Sequence, residues 1–240
     1  PGMHNVIKLL CSAFSEAFGD KLVAGYDKSS KALAKHCGSV REDGVVWGKM
    51  PVEHFATEHG HKFNIDWKEG QKPGFFIDQR ENRKLLGHYS KDKKVLNVFS
   101  YTGGFSIYAM KAGAKEVHSL DSSARALEIC EENVALNALN MDEHKSLQEE
   151  AVAYLKTDLS EYDIIVLDPP AFAKRASARH AAVQGYKRIN LRAIESMKPG
   201  SLLFTFSCSQ AVDEKLFTNT IIAASNKLVN VLIASRNTRS

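Results

Sequence analysis

Apolar residues at positions 6, 7, 9, 10, 13, 14, 17 and 18 recur at helical spacing, so Val6 to Phe18 is predicted to form an amphipathic helix that Gly19-Asp20 ends. Lys21 to Tyr26 then reads as a short strand. Asp27 to Lys35 reads as a weaker helix, broken at Cys37-Gly38. Between Gly44 and Trp67 the pattern shortens to alternating pieces, Val45 to Trp47, Val52 to Thr57 and Lys62 to Trp67, divided by Gly48, Pro51 and Gly60-His61. Pieces of that kind predict a small antiparallel sheet.

Beyond Gly74 the two periods alternate. Phe75 to Ile77 is an apolar plug, and Asp78 is placed to cap a helix starting near Gln79. The run VLNVFSYTGGF, Val95 to Phe105, reads as strand, tight turn and the start of a helix that continues through Ile107 to Ala112. Strands at Val117 to Leu120, His144 to Leu147, Asp163 to Leu167, Ser201 to Phe206 and Leu228 to Ala234 then alternate with helices at Ala124 to Asn137, Ala151 to Lys156, Tyr186 to Met197 and Asp213 to Ala224. The unbroken apolar run DIIVL is of the kind buried on both faces of a parallel sheet. The predicted fold class is therefore α/β, a doubly wound and mostly parallel Rossmann-like sheet over residues 73–240, behind a small N-terminal α+β region over residues 1–72. The boundary is expected near Gln71 to Gly74, and Lys174 to His180 is expected to be a mobile loop.

Composition narrows the class. At 240 residues and 44% hydrophobic content the chain can bury a full core. No apolar run approaches the roughly 18 residues that span a bilayer, and no basic segment leads into an apolar one at the start, so a cytoplasmic protein without a membrane partner is expected. Cysteines at 11, 37, 130 and 208 form no CxxC pair, which predicts free thiols and no metal site. His54, His59 and His61 lack a carboxylate or thiol at matching spacing and are read as solvent-facing strand residues. A net charge of +4 does not specify a nucleic-acid partner, but it would not repel one. Basic residues cluster at Arg80 to Lys84, Lys91 to Lys94, Lys174 to Arg179 and Lys187 to Arg192.

In such a sheet, ligands collect at the carboxyl ends of the strands, where Asp121, Asp168 and Cys208 fall. Gly103 and Gly104 would let backbone approach a ligand, and Asp121 lies about 20 residues on, where an acid grips ribose hydroxyls. Tyr101 stands where a dinucleotide loop has its first glycine, which disfavours NAD and favours a nucleoside ligand without phosphate, S-adenosylmethionine being the commonest. The alternative is a turn that binds nothing. Gln79 and Arg80 could hold a carboxylate, or the segment could be an exposed helix carrying Glu81 and Arg83 pairs. Asp168-Pro169-Pro170 would make a rigid shelf for a planar substrate, or would simply end a strand. Cys208 precedes a predicted helix whose amides would lower its pKa toward a thiolate able to add to carbon 6 of a pyrimidine; its alternative is an inert buried thiol.

Taken together, GFFIDQRENR, VLNVFSYTGGF, VHSLDSS, DIIVLDPPAFAK, GYKRIN and TFSCS closely resemble the bacterial 23S ribosomal RNA cytosine-5 methyltransferases of the RlmI type, within the class I S-adenosylmethionine-dependent fold. The resemblance covers roughly Val45 to Ala234. It implies S-adenosylmethionine as cofactor, held by Gln79, Arg80, Ser100, Thr102, Gly103, Asp121 and Ser122, with Glu150 (or Glu149 in its stead) as the adenine-side acid. It further implies that Asp168 faces cofactor and base, that Cys208 is the nucleophile, and that 23S ribosomal RNA is the partner. An N-terminal PUA RNA-binding domain and a last sheet strand are also implied, and neither has a counterpart expected within these residues, which suggests a fragment. The oligomeric state is not fixed, and a homodimer is compatible with the sequence. Two rival functions remain at this stage: methylation of an exocyclic amine or guanine nitrogen without an adduct, and a cofactor-holding RNA-binding module without turnover. The amine reading is weakened by Ala171, since the usual amine-methylating tetrapeptide has an aromatic directly after its prolines. An NAD-dependent oxidoreductase is the poorest option.

Overall fold

The computed structural model describes residues 6–37, 42–51, 55–65, 74–173 and 175–225. The chain divides into two compact units, residues 1–55 with 65–72, and residues 56–64 with 73–240. In the first, helix α1 (Ile7–Phe18) runs through a 3-10 turn to strand β1 (Ala24–Asp27), and helix α2 (Ser30–Cys37) leads to strand β2 (Gly44–Gly48). β1 and β2 pair antiparallel, with Gly25 opposite Trp47. Gly48 has φ +69, and a Cβ there would lie 2.1 Å from the Val23 carbonyl oxygen, so this strand end closes only on glycine.

The sheet expected from Gly44 to Trp67 is therefore two separate ribbons. β2 takes β1 as its partner, while strands β3 (Phe55–Glu58) and β4 (His61–Asn64) form a hairpin of their own. Its two-residue turn has both central residues left-handed, His59 at φ 49 and Gly60 at φ 83, the geometry that matches the twist of paired strands. Residues 56–64 belong to the second unit, although the sequence boundary assigns them to the N-terminal region. That boundary, at residues 71–73, lies outside the described residues, as do His54, Lys174 and the strand expected at Leu228 to Ala234.

The second unit is organised on a five-stranded parallel sheet in the order β7-β6-β5-β8-β9. Its strands are β5 (Lys94–Val98), β6 (Glu116–Asp121), β7 (His144–Gln148), β8 (Ile164–Leu167) and β9 (Leu202–Thr205). β5 starts the sheet at its centre, and the chain winds first to one side and then to the other. The helices are α3 (Arg80–Ser90), α4 (Gly104–Lys111), α5 (Ala124–Leu136), α6 (Ala151–Tyr154), α7 (Arg179–Ser196) and α8 (Glu214–Ser225). Alternate strand residues Leu96, Val98, Leu120, Ile165, Leu167 and Leu203 form one core with Leu155, Tyr186, Ile189, Phe217 and Ile221. On the opposite face Tyr89 of α3 packs edge-on to Phe204 of β9, and Phe105 of α4 stacks on Phe206 just beyond it. That second face also holds a buried polar chain from Asn97 through Ser106 and Ser119 to His144. Burial pushes His144 down to about 4, so it stays neutral there.

Two local expectations change. Arg179 and His180 open α7 behind a 3-10 turn at Ala176–Ala178, so most of the expected loop is helical. Asp78 lies inside a 3-10 turn (Ile77–Gln79) and makes no side-chain cap to α3.

Candidate active site

All five strands of the large sheet end toward one edge, and each supplies a residue singled out from the sequence. Ser100 follows β5, Asp121 ends β6, Glu149 and Glu150 follow β7, Asp168 follows β8 and Cys208 lies just past β9. They fall into two connected groups.

The first group surrounds the β5–α4 loop. Backbone at Phe99, Tyr101 and Gly103 is left-handed, with φ of 61, 48 and 81. Two of these are not glycine, and such backbone persists only when its surroundings hold it. Asp121 supplies part of the hold: one carboxylate oxygen accepts from the Tyr101 N–H and the other from the Ser123 N–H, each at 2.9 Å. Ser122 is exposed beside it. Ser123 caps α5 by accepting from Ala126 N–H, and Glu150 caps α6 by accepting from Ala153 N–H at 3.0 Å. Glu149 donates its N–H to the Asp121 carbonyl at 3.3 Å, which keeps the acidic pair beside Asp121. Ser100 carries a buried hydroxyl with no hydrogen-bond partner among the described residues. A buried orphan hydroxyl beside two exposed acids suits a polar nucleoside ligand such as the S-adenosylmethionine that the motifs imply.

Gly103 has a reason other than the one the motif suggests. A Cβ on it would lie 2.3 Å from the Cys130 sulfur, so this glycine lets helix α5 pack against the loop. Thr102 is buried, and its carbonyl accepts from the Asn133 side chain.

The second group lies past the ends of β8 and β9. Gln79 is buried and donates from Nε2 to Asp168 at 2.9 Å, while its own amide oxygen accepts from Asn82 at 2.6 Å. The Cys208 thiol donates toward the Pro169 carbonyl at 3.6 Å, so Cys208 and Asp168 border the same shelf. Ser209 stitches the two loops together: its hydroxyl accepts from the Ala173 N–H at 3.2 Å and donates to the Ala173 carbonyl at 2.6 Å. Phe172 packs on Tyr186 with ring centroids 4.7 Å apart, and Gly185 leaves room for that ring, since a Cβ there would approach it to 3.0 Å.

Electrostatics at the shelf differ from the sequence expectation for Cys208. Helix α8 begins at Glu214, six positions on, too far for its amides to touch the thiol. Dehydration of the sulfur, then the nearby Asp168 carboxylate and then Asp78, push the thiol up to about 11. Cys208 rests as a thiol. Asp168 is pushed up to about 7, first by burial and second by the Asp78 charge, against smaller opposing effects of Arg83 and the Gln79 hydrogen bond. It is thus able to gain and lose a proton near neutrality.

Arg80, expected to hold a carboxylate, donates from Nε to His59 Nε2 at 3.2 Å. Tyr108 donates to Glu58 at 2.9 Å, so His59 must give its Nδ1 proton to the Tyr108 oxygen at 2.8 Å, which leaves Nε2 free to accept from Arg80. The arginine that holds a carboxylate in two prongs is Arg83. Its Nε and Nη2 donate to the two Glu58 oxygens, each at 2.8 Å, and its Nη1 donates to the Phe76 carbonyl at 2.9 Å. Arg83 is 3% exposed and Glu58 5%, so the exposed Arg83 pairing considered from sequence is replaced by a buried one. Sequence reading missed Glu58, Asn82, Arg83 and Asn133. The hydropathy of FATE gave no signal for Glu58, because the apolar Phe55 is exposed while the acid is the buried end of the strand.

A family model for S-adenosylmethionine-dependent methyltransferases matches residues 41–234. The Ribosomal RNA large subunit methyltransferase I of Tolumonas auensis is 39% identical over 204 residues, which is 83% of this chain and 51% of that protein. The protein of the same name from Klebsiella pneumoniae is 38% identical over 219 residues, 90% of this chain and 54% of its own length. The chain spans about half the length of the curated relatives it matches. Among solved structures, a Streptococcus mutans protein provisionally described as a SAM-dependent methyltransferase superposes with a TM-score of 0.75 at 23% identity, over 94% of this chain and 57% of its own. A SAM-dependent methyltransferase from Agrobacterium tumefaciens superposes with a TM-score of 0.63 at 21% identity, over 80% of this chain and 64% of its own. At those identities the two structures speak for the fold alone.

Proposed function

The chain belongs to the S-adenosylmethionine-dependent methyltransferases, and from that premise we propose that it is the catalytic part of an enzyme that methylates carbon 5 of a cytosine in large-subunit (23S) ribosomal RNA through a covalent adduct with Cys208. The ribosomal substrate rests on the names of relatives at 38–39% identity. The observation that carries the chemistry is the Cys208 thiol lying against the carbonyl of Pro169, the residue after Asp168.

Bound S-adenosylmethionine would supply an electrophilic methyl group. Ser100, Thr102, Gly103, Asp121, Ser122 and Glu150 would hold its nucleoside, and Gln79 and Arg80 would stand at its amino-acid end. Carbon 5 of cytosine is a weak nucleophile until a group adds at carbon 6. Cys208 makes that bond: sulfur attacks carbon 6, its proton passes to the Asp168 carboxylate, and carbon 5 becomes electron-rich. After methylation water takes the proton from carbon 5, and the C–H pair restores the ring double bond as the C–S pair leaves carbon 6 to sulfur, which Asp168 reprotonates. Gln79 keeps the carboxylate aimed at the shelf.

The test is transfer of labelled methyl from S-adenosylmethionine to unmodified 23S ribosomal RNA, followed by mass spectrometry of the nucleosides. Wild-type chain should yield 5-methylcytosine. Cys208→Ala should abolish transfer while binding S-adenosylhomocysteine as wild type does. Persistent transfer by that variant, or a product methylated on an exocyclic amine, would refute the adduct.

A further inference from the structure

Two asparagines one turn apart, Asn133 on α5 and Asn137 at its C-cap, grip the β3–β4 hairpin. Asn137 accepts from the Lys62 N–H at 3.0 Å and donates to the Lys62 carbonyl at 2.6 Å, as a neighbouring strand would. Asn133 accepts from the Asn64 N–H at 2.6 Å. Four residues of helix rise about 6 Å and two residues of strand about 6.7 Å, so the spacings match and a helix face serves as the partner of a strand edge. Asn133 has a second role. Its Nδ2 donates to the carbonyl of Thr102, inside the strained β5–α4 loop, at 2.9 Å. The amide orientation is not in doubt, because its oxygen must face an N–H and its nitrogen a carbonyl. Asn133 is fully buried.

We propose that Asn133 is a positioning residue for the cofactor loop, tying the path of residues 99–103 to the docked hairpin. The inference rests on that loop facing S-adenosylmethionine. The bond falls between the Tyr101 amide held by Asp121 and the Gly103 turn seated on Cys130, so it fixes the middle of a segment whose two ends are already anchored. Left-handed Phe99 and Tyr101 would relax if the middle were released, and the Ser100 hydroxyl and the loop amides would lose their aim.

The experiment is calorimetric titration with S-adenosylhomocysteine, which reads binding without turnover. Asn133→Asp keeps an acceptor for Asn64 but turns an oxygen toward the Thr102 carbonyl, and should weaken binding about tenfold or more. Asn133→Ser, which drops both bonds without adding charge, should weaken it in the same direction. Asn137→Ala loosens the hairpin and frees the Asn133 backbone carbonyl but leaves the Asn133 side chain and its Thr102 bond in place, so its unfolding midpoint should fall while its affinity stays within about twofold of wild type. Folded Asn133 variants that bind like wild type would overturn the proposal. So would an Asn137→Ala loss of affinity equal to that of Asn133→Asp, because hairpin docking alone would then explain it. Wild-type chain without measurable binding would overturn the reading beneath it as well.

Discussion

At the scale of single residues, Asp168 and Cys208 share one environment. Asp168 is uncomfortable as an anion because it is largely dehydrated and feels the Asp78 charge, and its own charge adds to dehydration of the sulfur in keeping the Cys208 proton in place. Asp168→Asn therefore has two separable consequences. The Cys208 thiol should become more acidic, so that its alkylation by iodoacetamide, followed site by site in a mass spectrometer, shifts its midpoint to lower pH. An unchanged midpoint would mean that Asp168 does not act on the sulfur. Stability should also change, with a sign that linkage fixes. A carboxyl whose folded pKa is about 7 binds more protons folded than unfolded between about pH 4 and pH 7, so wild type loses stability as pH rises through that window. The asparagine variant escapes the loss, and its unfolding midpoint should exceed that of wild type at pH 8 and converge with it near pH 4. Catalysis runs the other way: if Asp168 receives the thiol proton, kcat/KM should climb up to about tenfold per pH unit below about pH 7 and level off above it.

At the scale of elements, the site depends on close contacts between pieces far apart in the chain. Gly103→Ala would put a methyl group into the Cys130 sulfur and ask alanine to hold φ +81. Overpacking and left-handed backbone together should cost about 2–5 kcal/mol. Because the two contributions are independent, adding Cys130→Ala should recover the overpacking part and leave about 1–2 kcal/mol of backbone strain. Failure of the double variant to recover any stability in urea unfolding would mean that the glycine is needed for its φ alone. The Glu58–Arg83 pair links β3 to α3 in the same way. Glu58→Gln leaves a buried guanidinium without its carboxylate and turns one of the two accepting oxygens into an amide donor, so a loss of about 3–5 kcal/mol is expected in the same assay. A loss under about 1 kcal/mol would mean that water reaches Arg83 in the folded chain.

At the scale of the whole molecule, the alternation of buried apolar runs with amphipathic stretches was enough to read the parallel sheet, because strands covered on both faces leave a local signature. The carboxyl-end residues followed from the same reading, since topology places every strand end on one edge. What stayed hidden were partnerships without period. Glu58 with Arg83, Asn133 with Thr102 and with Asn64, and Asn137 with Lys62 are separated by 25, 31, 69 and 75 residues, and single polar contacts at such distances leave no mark in a hydrophobic pattern. The same partnerships decide where the second unit begins. A cut at residue 73, where composition changes, would remove the hairpin from both asparagines and strand Arg83 as an unpaired buried cation. A cut at residue 55 keeps Glu58, Lys62 and Asn64 with their partners. The fragment 55–240 should therefore melt cooperatively and bind S-adenosylhomocysteine, whereas 73–240 should have a midpoint lower by about 6–20 °C, taking a loss of about 3–5 kcal/mol at about 2–4 °C per kcal/mol for a domain of this size. Circular-dichroism melts of the two fragments decide between the boundaries, and equal midpoints would return the hairpin to the N-terminal region where the sequence alone had put it.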